Sequence, residues 1–369
     1  MHISLIDFSN FNVNPKHSLN FRYKKGSKIM INFFGIDGVV SPRKTIIDGS
    51  VLPEEIDLRN VEILEINGYD NEIFQNKEIV RYIEKVKNKE MIISLRISYG
   101  TVLENLNILK YFPALRRITI KSKTIKSFEY LEYFKEGKSL QIETGEDKRR
   151  NLNYLSSSCY NTLQSIDLEF GNLGDYEVIS NCTSLETAVI GRGLAPNFKD
   201  WSKVPLKSIK FWNYCIFTEL EDMAYLSNLD YVMVGACRRF ERFKGDNSSI
   251  KRLYITGSKR FDITSLKTCP SLKELDIRGS IPLVSLDDLP TLNHLKTLEI
   301  VDIKIDFASY ELAEKLPSLK RFYFTKGSDE EVIKLSKQNK EILICKNAKG
   351  YLNGIQVYDK YDWPDNKDL

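Results

Sequence analysis

The stretch SLKELDIRG at residues 271–279 is followed by HLKTLEIVD at 294–302 and SLKRFYFTK at 318–326. This recurrence constrains the fold more than any other feature of the chain. Aligned on the pattern apolar-x-x-apolar-x-apolar, it gives starts at Val61, Ile92, Leu115, Leu163, Leu185, Leu206, Leu229, Ile250, Leu272, Leu295 and Leu319, with degenerate copies at Gly137 and Asn339. These are thirteen units, most of them 20–24 residues apart, with longer steps of 31 and 26. One strand and one turn cannot bury their own apolar face, whereas stacked units share a continuous core, with parallel strands about 4.8 Å apart. A second register predicts how each unit returns. Three residues before the starts stand Phe112, Tyr160, Cys182, Leu226, Cys269, Leu292 and Leu316, and six before stand Leu109, Ile179, Met223, Leu266, Leu289 and Ala313. Apolar residues three apart fit a short 3₁₀ turn packed back on the strand layer.

The segments LRRITIK, LQSIDLEF, LKSIKFW, LDYVMVG, IKRLYIT, LKELDIR and LKTLEIV resemble the strand segments of the leucine-rich repeat superfamily, over roughly residues 56–346. The resemblance implies an α/β solenoid, a horseshoe with a parallel concave sheet on which partners bind. One column departs from the family pattern. Eight residues after the start, where an Asn or Cys ladder is usual, this chain has Gly171, Gly193, Tyr214, Cys237, Ser258, Ser280 and Ile303, which predicts irregular bonding in the turns.

An open stack needs caps, because its end units expose apolar surface and unpaired strand. Residues 1–55 read as a β-rich cap. LNFRY and KIMINFF alternate around Lys24-Lys25-Gly26, and Asp37-Gly38 and Asp48-Gly49 are further turn signals. Residues 76–87 put Ile79, Ile83 and Val86 on one helical face, which accounts for the long first step. Near the other end, Ser328 and Glu331 form a capping-box pair and Asn353-Gly354 a hairpin turn. Residues 347–369 then form a short cap and polar tail, with no room for an appended catalytic domain.

Composition excludes several functions. Apolar residues at 42% and charged residues at 28% describe a chain with ample core. No apolar run approaches the ~18 residues that span a bilayer, and Asp7 interrupts the place of a secretory signal, so a cytoplasmic protein without membrane contact is expected. The only histidines are His2, His17 and His294, and no phosphate-binding loop occurs, so no cofactor, metal or catalytic triad is expected. The six cysteines lack a CxxC pair and read as free thiols; Cys182 and Cys269 fill core positions, while Cys159 and Cys345 have no assigned place and stay open as reactive thiols. Asp167 with Glu169, and Glu274 with Asp276, sit on alternate strand positions, the one arrangement from which an enzyme reading could start. An open face is poor ground for it, because raising a carboxyl pKa requires burial.

The letters that vary carry the functional reading. The third, fifth and seventh residues of each unit leave the core and face outward. There Val189, Trp212, Tyr231, Met233 and Tyr254 fall on adjacent strands, with Arg252, Arg321 and Tyr323 nearby. Trp, Tyr and Arg are the residues enriched at binding hot spots. These eight are therefore the candidate partner-binding residues, and the expected function is non-catalytic binding of a protein, as a monomer; the resemblance to leucine-rich repeat proteins adds, as its specific implication, a bacterial immunity protein sequestering a toxin domain. A scaffolding subunit is the main alternative. Residues 237–261 hold eight lysines and arginines against Glu241 and Asp246, a local +6 with interleaved aromatics. Arg238, Arg239, Arg242 and Lys244 fall in the loop after the strand and point away from Arg252, so the segment reads as solvated charge and nucleic acid is not favoured. The whole chain carries only +4.

Overall fold

The computed structural model describes residues 20–22, 28–34, 56–57, 63–68, 80, 83–84, 86–97, 105–122, 125, 127–144, 152–169, 177–279, 281, 283–307, 311–347 and 349–358. The chain divides into two compact units, Met1–Tyr133 and Phe134–Leu369.

In the first unit β1 (Asn20–Arg22) and β2 (Lys28–Phe34) pair antiparallel, with Phe21 opposite Ile29, and β2 lies antiparallel to β4 (Ile63–Gly68). The short strand β3 (Ile56–Asp57) pairs parallel with β5 (Val86–Lys87). From β4 the ladder becomes parallel through β6 (Ser94–Ile97) and β7 (Arg117–Ser122), with Leu64, Leu95 and Ile118 in register. The expected helix over 76–87 needs correction at its end. Val86 is extended in β5, where its backbone pairs with Ile56 and its β-branched side chain suits a strand. Ile83 is buried, while Ile79, the turns at Asp37-Gly38 and Asp48-Gly49, and the tail 359–369 lie outside the described residues.

The second unit carries the repeats from the copy at Gly137 onward. Its main ladder runs in chain order through β8 (Ser139–Thr144), β9 (Ser165–Glu169), β10 (Thr187–Gly191) and β11 (Ser208–Trp212). A short β12 (Glu219–Glu221) intervenes before β13 (Tyr231–Gly235), and β14 (Arg242–Lys244) before β15 (Arg252–Thr256). The ladder continues with β16 (Glu274–Arg278), then after β17 (Leu283–Ser285) with β18 (Thr297–Val301), and after β19 (Lys304–Asp306) with β20 (Arg321–Phe324) and β21 (Leu343–Lys346). β12 with β14, and β17 with β19, make separate two-stranded parallel sheets. The predicted inward column is buried along the whole stack: Ile166, Ala188, Ile209, Val232, Leu253, Leu275 and Leu298 stand side by side at 2% exposure or less. At roughly 1.5–3 kcal/mol for each fully buried Val, Leu or Ile, this column and the equally buried Leu168, Ile190, Phe211, Val234, Ile255, Ile277 and Ile300 supply a continuous apolar term in stacking.

The degenerate copy at Gly137 is in register, and its missing side chain has a cause. A Cβ there would lie 2.2 Å from the ring of Phe134, which fills the space a leucine takes in other units. The copy at Asn339 is displaced by two residues, because Arg321 pairs with Leu343 and Phe322 with Ile344. Asn339 instead ends helix α1 (Asp329–Gln338), whose start carries the expected Ser328–Glu331 capping box. It is buried, donates from Nδ2 to the Leu335 carbonyl and accepts from the Leu312 N–H. After β21 the chain turns antiparallel into β22 (Lys349–Leu352) and β23 (Ile355–Tyr358), and Asn353 and Gly354 both take the positive φ of a tight hairpin turn.

The returns follow the three-residue spacing. Cys182 N–H bonds Ile179 carbonyl, Leu226 bonds Met223 and Cys269 bonds Leu266, at 2.9–3.0 Å. In two units the expected residue is off by one: Cys159 rather than Tyr160, and Leu312 rather than Ala313, is buried. There the turn closes over four residues, with Leu163 N–H on Cys159 carbonyl and Leu316 N–H on Leu312 carbonyl, each 2.8 Å. Cys159 and Cys345 are therefore core residues, not surface thiols. All six cysteines are free and buried, and burial pushes the thiols of Cys182 and Cys269 up to about 12.

The irregular column resolves into a backbone device. Seven residues after the start the chain turns through a left-handed residue in successive units: Arg192, Ala236, Gly257, Gly279 and Asp302, with φ of 48° to 69°. From these turns the N–H donates to the next unit: Arg192 to Trp212 carbonyl at 3.2 Å, Ala236 to Thr256 at 2.8 Å, Gly257 to Arg278 at 3.3 Å and Gly279 to Val301 at 2.9 Å. Main-chain bonds thus join the turns, and beside them Cys215 Sγ donates to the Ile190 carbonyl at 3.4 Å and Cys237 Sγ to the Phe211 carbonyl at 3.7 Å. The β11 unit has one extra residue in this turn, so both Asn213 and Tyr214 are left-handed, and Cys215, not Tyr214, takes the buried place beside Cys237.

Asn247 occupies a return position filled elsewhere by Leu226, Leu292 or Leu316, yet it is fully buried. It accepts from Met223 N–H at 3.2 Å and donates to Lys244 carbonyl at 2.8 Å and Thr268 Oγ1 at 3.1 Å. Asn247→Leu, although it restores the repeat consensus, should lower unfolding stability by about 2 kcal/mol or more, because it strands buried polar groups. Urea unfolding followed by circular dichroism measures this, and an unchanged or raised midpoint refutes it.

Candidate functional site

Three outward rows cross the second unit. The first holds Thr187, Ser208, Tyr231, Arg252, Glu274, Thr297 and Arg321, and the second Val189, Lys210, Met233, Tyr254, Asp276, Glu299 and Tyr323. In the third row Gly191 pairs with Trp212, and Gly235 leads through Thr256 and Arg278 to Val301. All eight predicted residues lie in these rows and are partly or well exposed. Six of them, Val189, Trp212, Tyr231, Met233, Arg252 and Tyr254, gather on β10–β15. Arg321 and Tyr323 sit three ladder steps from Tyr254, with Asp276 and Glu299 between, so they belong to a different neighbourhood.

Trp212 is the fixed point of the cluster. It is 37% exposed, and a Cβ added at Gly235 would lie 2.2 Å from its ring carbons Cε3 and Cζ3 and 3.1 Å from Met233 Cε. The indole therefore lies across the bare backbone of Gly235, with the Met233 side chain at its edge. Sequence reasoning passed over Gly235. The available signal was a glycine in the same outward column as a tryptophan, one strand away.

Gly191, on the other side of Trp212, has the same role for Glu169: its Cβ would lie 2.2 Å from Glu169 Cγ. Glu169 stands opposite Glu143 on β8 and accepts a hydrogen bond from Asn213 Nδ2. Burial raises the Glu169 carboxyl pKa and Glu143 adds to the rise, against the opposing effects of Asn213 and Arg192.

The aromatic and cationic residues are interleaved. The Tyr231 ring lies between Lys210 Nζ, 5.9 Å from its centroid, and Arg252 Cζ at 5.4 Å. Arg278 lies 5.5 Å over the Tyr254 ring, holds Asp276 through Nε at 2.8 Å and Nη2 at 2.7 Å, and reaches Glu299 at 3.1 Å. The two arginines expected as charged partners already hold carboxylates: Arg252 Nε donates to Asp230 at 2.8 Å, and Arg321 faces Glu299 at 3.9 Å. Asp167 accepts from Gln141 Nε2 at 2.8 Å. Among the described residues no group of three or more His, Cys, Asp or Glu converges as a metal ion would require.

The basic segment 237–261 is largely neutralised. Arg242 and Lys244 pair with Glu219, Lys251 and Arg252 with Asp230, and Arg260 with Glu241. Arg238, Arg239 and Lys259 have no ion pair among the described residues.

Parallel strands returning at a regular period, left-handed turns at a fixed offset and 3₁₀ returns make a leucine-rich repeat fold, with its varied residues on one sheet face. Solved structures similar to this chain include the functional domain of InlJ from Listeria monocytogenes, at 14% identity and a TM-score of 0.44, covering 69% of this chain and 52% of that one. The internalin InlF from Listeria monocytogenes is similar at 16% identity and a TM-score of 0.43, covering 69% of this chain and 74% of that one. A leucine-rich repeat protein of Leptospira interrogans is similar at 16% identity and a TM-score of 0.45, covering 74% and 81%. The chain spans about half the length of the first of these. No family model and no curated protein matches the chain.

Two outcomes follow from this geometry. Gly235→Ala must push the indole off the sheet, so the Trp212 contribution to fluorescence should shift to longer wavelength and become more open to acrylamide quenching; an unaltered spectrum refutes the contact. For Glu169, the native carboxyl keeps its proton above the ordinary value of 4.5, so ionising it costs stability once the pH rises through that range. Glu169→Gln should therefore melt above the parent at neutral pH, and the difference should fade as the pH drops below the ordinary carboxyl range. A gain that persists undiminished in acid refutes this.

Proposed function

We propose that this protein works by stoichiometric binding of a protein partner on the outward face of its parallel sheet, with no chemistry of its own. The observation that carries the reading is the Trp212 indole laid over Gly235 beside Met233, with Tyr231 and Tyr254 on the neighbouring strands. Such a centre is already held in place, so it loses little side-chain freedom when a partner covers it. Large rigid aromatics of this kind supply the residues whose truncation costs about 2 kcal/mol or more at interfaces.

The charges around the centre favour a folded protein over a polyanion. Glu143, Asp167 and Glu169 flank it on one side and Glu274, Asp276 and Glu299 on the other, interleaved with Lys210, Arg252 and Arg278, and such a mixed face suits a shaped protein partner with complementary charges rather than a uniform phosphate backbone. In the finer reading the partner is a toxin domain, and this chain is the cytoplasmic bacterial immunity protein that sequesters it as a monomer. Val189, Trp212, Tyr231, Met233, Arg252 and Tyr254 form the main contact, with Arg321 and Tyr323 at its periphery.

Affinity capture from the native cell should recover one partner at about one-to-one stoichiometry with the parent protein, and Trp212→Ala combined with Tyr254→Ala should weaken the complex at least tenfold. Unchanged recovery by a double variant with a native circular dichroism spectrum removes this interface. If the captured partner, expressed alone, does not arrest growth, the immunity role falls while the binding reading stands.

A further inference from the structure

Four of the large exposed apolar side chains lie together on two neighbouring units: Leu194 after β10, and Trp212, Tyr214 and Ile216 at the end of β11, at 48%, 37%, 51% and 38% exposure. The two turns are joined by the Ile216 N–H bonding the Gly193 carbonyl at 3.1 Å. The extra residue of the β11 turn produces the exposure. It sends Asn213 and Tyr214 through successive left-handed conformations, Cys215 drops into the core, and Tyr214 is left standing outward. A left-handed conformation is uncommon for an aromatic residue; here it lets Cys215 fill the core and leaves Tyr214 exposed. Trp212 belongs both to this rim and to the aromatic centre of the sheet face.

The next units along the same rim are basic. Arg238 lies with its Cζ 5.0 Å over the Tyr214 ring. One unit further, Lys259 and Arg260 repeat the positions of Arg238 and Arg239, since CRRF at 237–240 and SKRF at 258–261 occupy equivalent turns whose Phe240 and Phe261 rings stack at 5.6 Å. Arg260 is paired with Glu241, whereas Arg238, Arg239 and Lys259 are exposed and lack an ion pair among the described residues. The rest of the basic segment is bound to carboxylates, so the bare charge of this region is concentrated beside the apolar rim.

We infer that this rim, Leu194, Trp212, Tyr214 and Ile216 bordered by Arg238, Arg239 and Lys259, is a second docking surface, which takes an acidic segment of the protein partner that carries apolar side chains. The apolar residues seat the segment's apolar side chains, and the unpaired cations meet its carboxylates. The inference rests on the protein-binding reading above and extends it to a place the repeat pattern alone does not mark.

The test uses the full chain and a fluorescein-labelled synthetic peptide of repeated Glu-Leu-Leu-Glu, followed by fluorescence anisotropy, with repeated Lys-Leu-Leu-Lys and poly-glutamate as controls. The acidic apolar peptide should bind saturably and both controls at least tenfold more weakly. Tyr214→Ser with Ile216→Ser, and separately Arg238→Glu with Lys259→Glu, should each weaken it about tenfold. These positions are exposed, so both variants should keep the parent's melting curve; the charge-reversed pair tests the surface even if the apolar pair does not fold. Tyr254→Ala, on the sheet face, should leave peptide affinity unchanged. No saturable binding by the parent, or equal binding by the charge-reversed variant, overturns the rim site. Peptide released by Tyr254→Ala and kept by the rim variants also overturns it, while leaving the sheet-face reading intact. Binding of the parent to phosphatidylserine vesicles that is lost in both rim variants, with no peptide binding, assigns the surface to a lipid and overturns the protein partner.

Discussion

The hydrogen bonds that pass from each turn to the next govern what the rest of this molecule can vary. A strand of the ladder satisfies its peptide groups only through its neighbours, and the turn that follows is tied in the same way, Arg192 to Trp212, Ala236 to Thr256, Gly257 to Arg278, Gly279 to Val301. Buried peptide groups must be paired, so the turn conformation is fixed by main-chain bonding. The left-handed residue at each turn is the geometric condition for it. Because main chain supplies these bonds, the side chains of the turns are released from the ladder. That is why the left-handed position can hold Arg, Ala, Gly or Asp without loss of the stack, and why one turn could take an additional residue.

The outward face follows from the same constraint. Parallel register puts equivalent residues of adjacent units directly beside each other, so a large side chain on one strand needs either a large partner or a gap next to it. Gly191 and Gly235 provide such gaps on either side of Trp212, one filled by Glu169 and the other by the indole itself. The price of two glycines within strands is reduced strand propensity, offset here by ladder bonds on both sides. The remainder of the face is occupied by ion pairs internal to the sheet, Arg278 with Asp276 and Glu299, and Arg252 with Asp230. These pairs are partly exposed and contribute little to stability, but they fix where each charge sits.

The repeat starts, the inward column and the outward rows were legible because period-two alternation and a fixed repeat leave few other arrangements. Eight named outward residues are where the letters place them. What the letters hid was local closure. Cys159 and Leu312 displaced Tyr160 and Ala313 because a turn closed over four residues places its buried side chain one residue earlier, and both closures are compatible with the same spacing of apolar letters. Asn339 resembled a degenerate start because a buried asparagine that caps a helix occupies the core as a leucine does. Tyr214 was counted in the ladder because a one-residue insertion cannot be seen without the strands on either side. Gly235 escaped notice because its contribution is the absence of a side chain, which acquires meaning only when a neighbouring indole lies on it.

Charge then separates the two parts of the exposed surface by role. On the sheet face a partner meets cations and carboxylates that are already joined, so a new ion pair there must compete with an existing one, and the gain from each is small. Apolar contact at the exposed parts of Trp212, Met233 and Tyr254 breaks no ion pair, since it displaces water from those surfaces. In the proposed complex, affinity on the face would therefore depend on the aromatic centre, and the fixed charges around it would act by rejecting partners whose own charges fall in the wrong place. On the rim the balance is reversed. Arg238, Arg239 and Lys259 are exposed and lack an ion pair among the described residues, so their field reaches into solvent, within the roughly 8 Å allowed by physiological salt. An acidic partner segment would be drawn first to the rim and seated afterwards across Trp212, the one residue common to both surfaces.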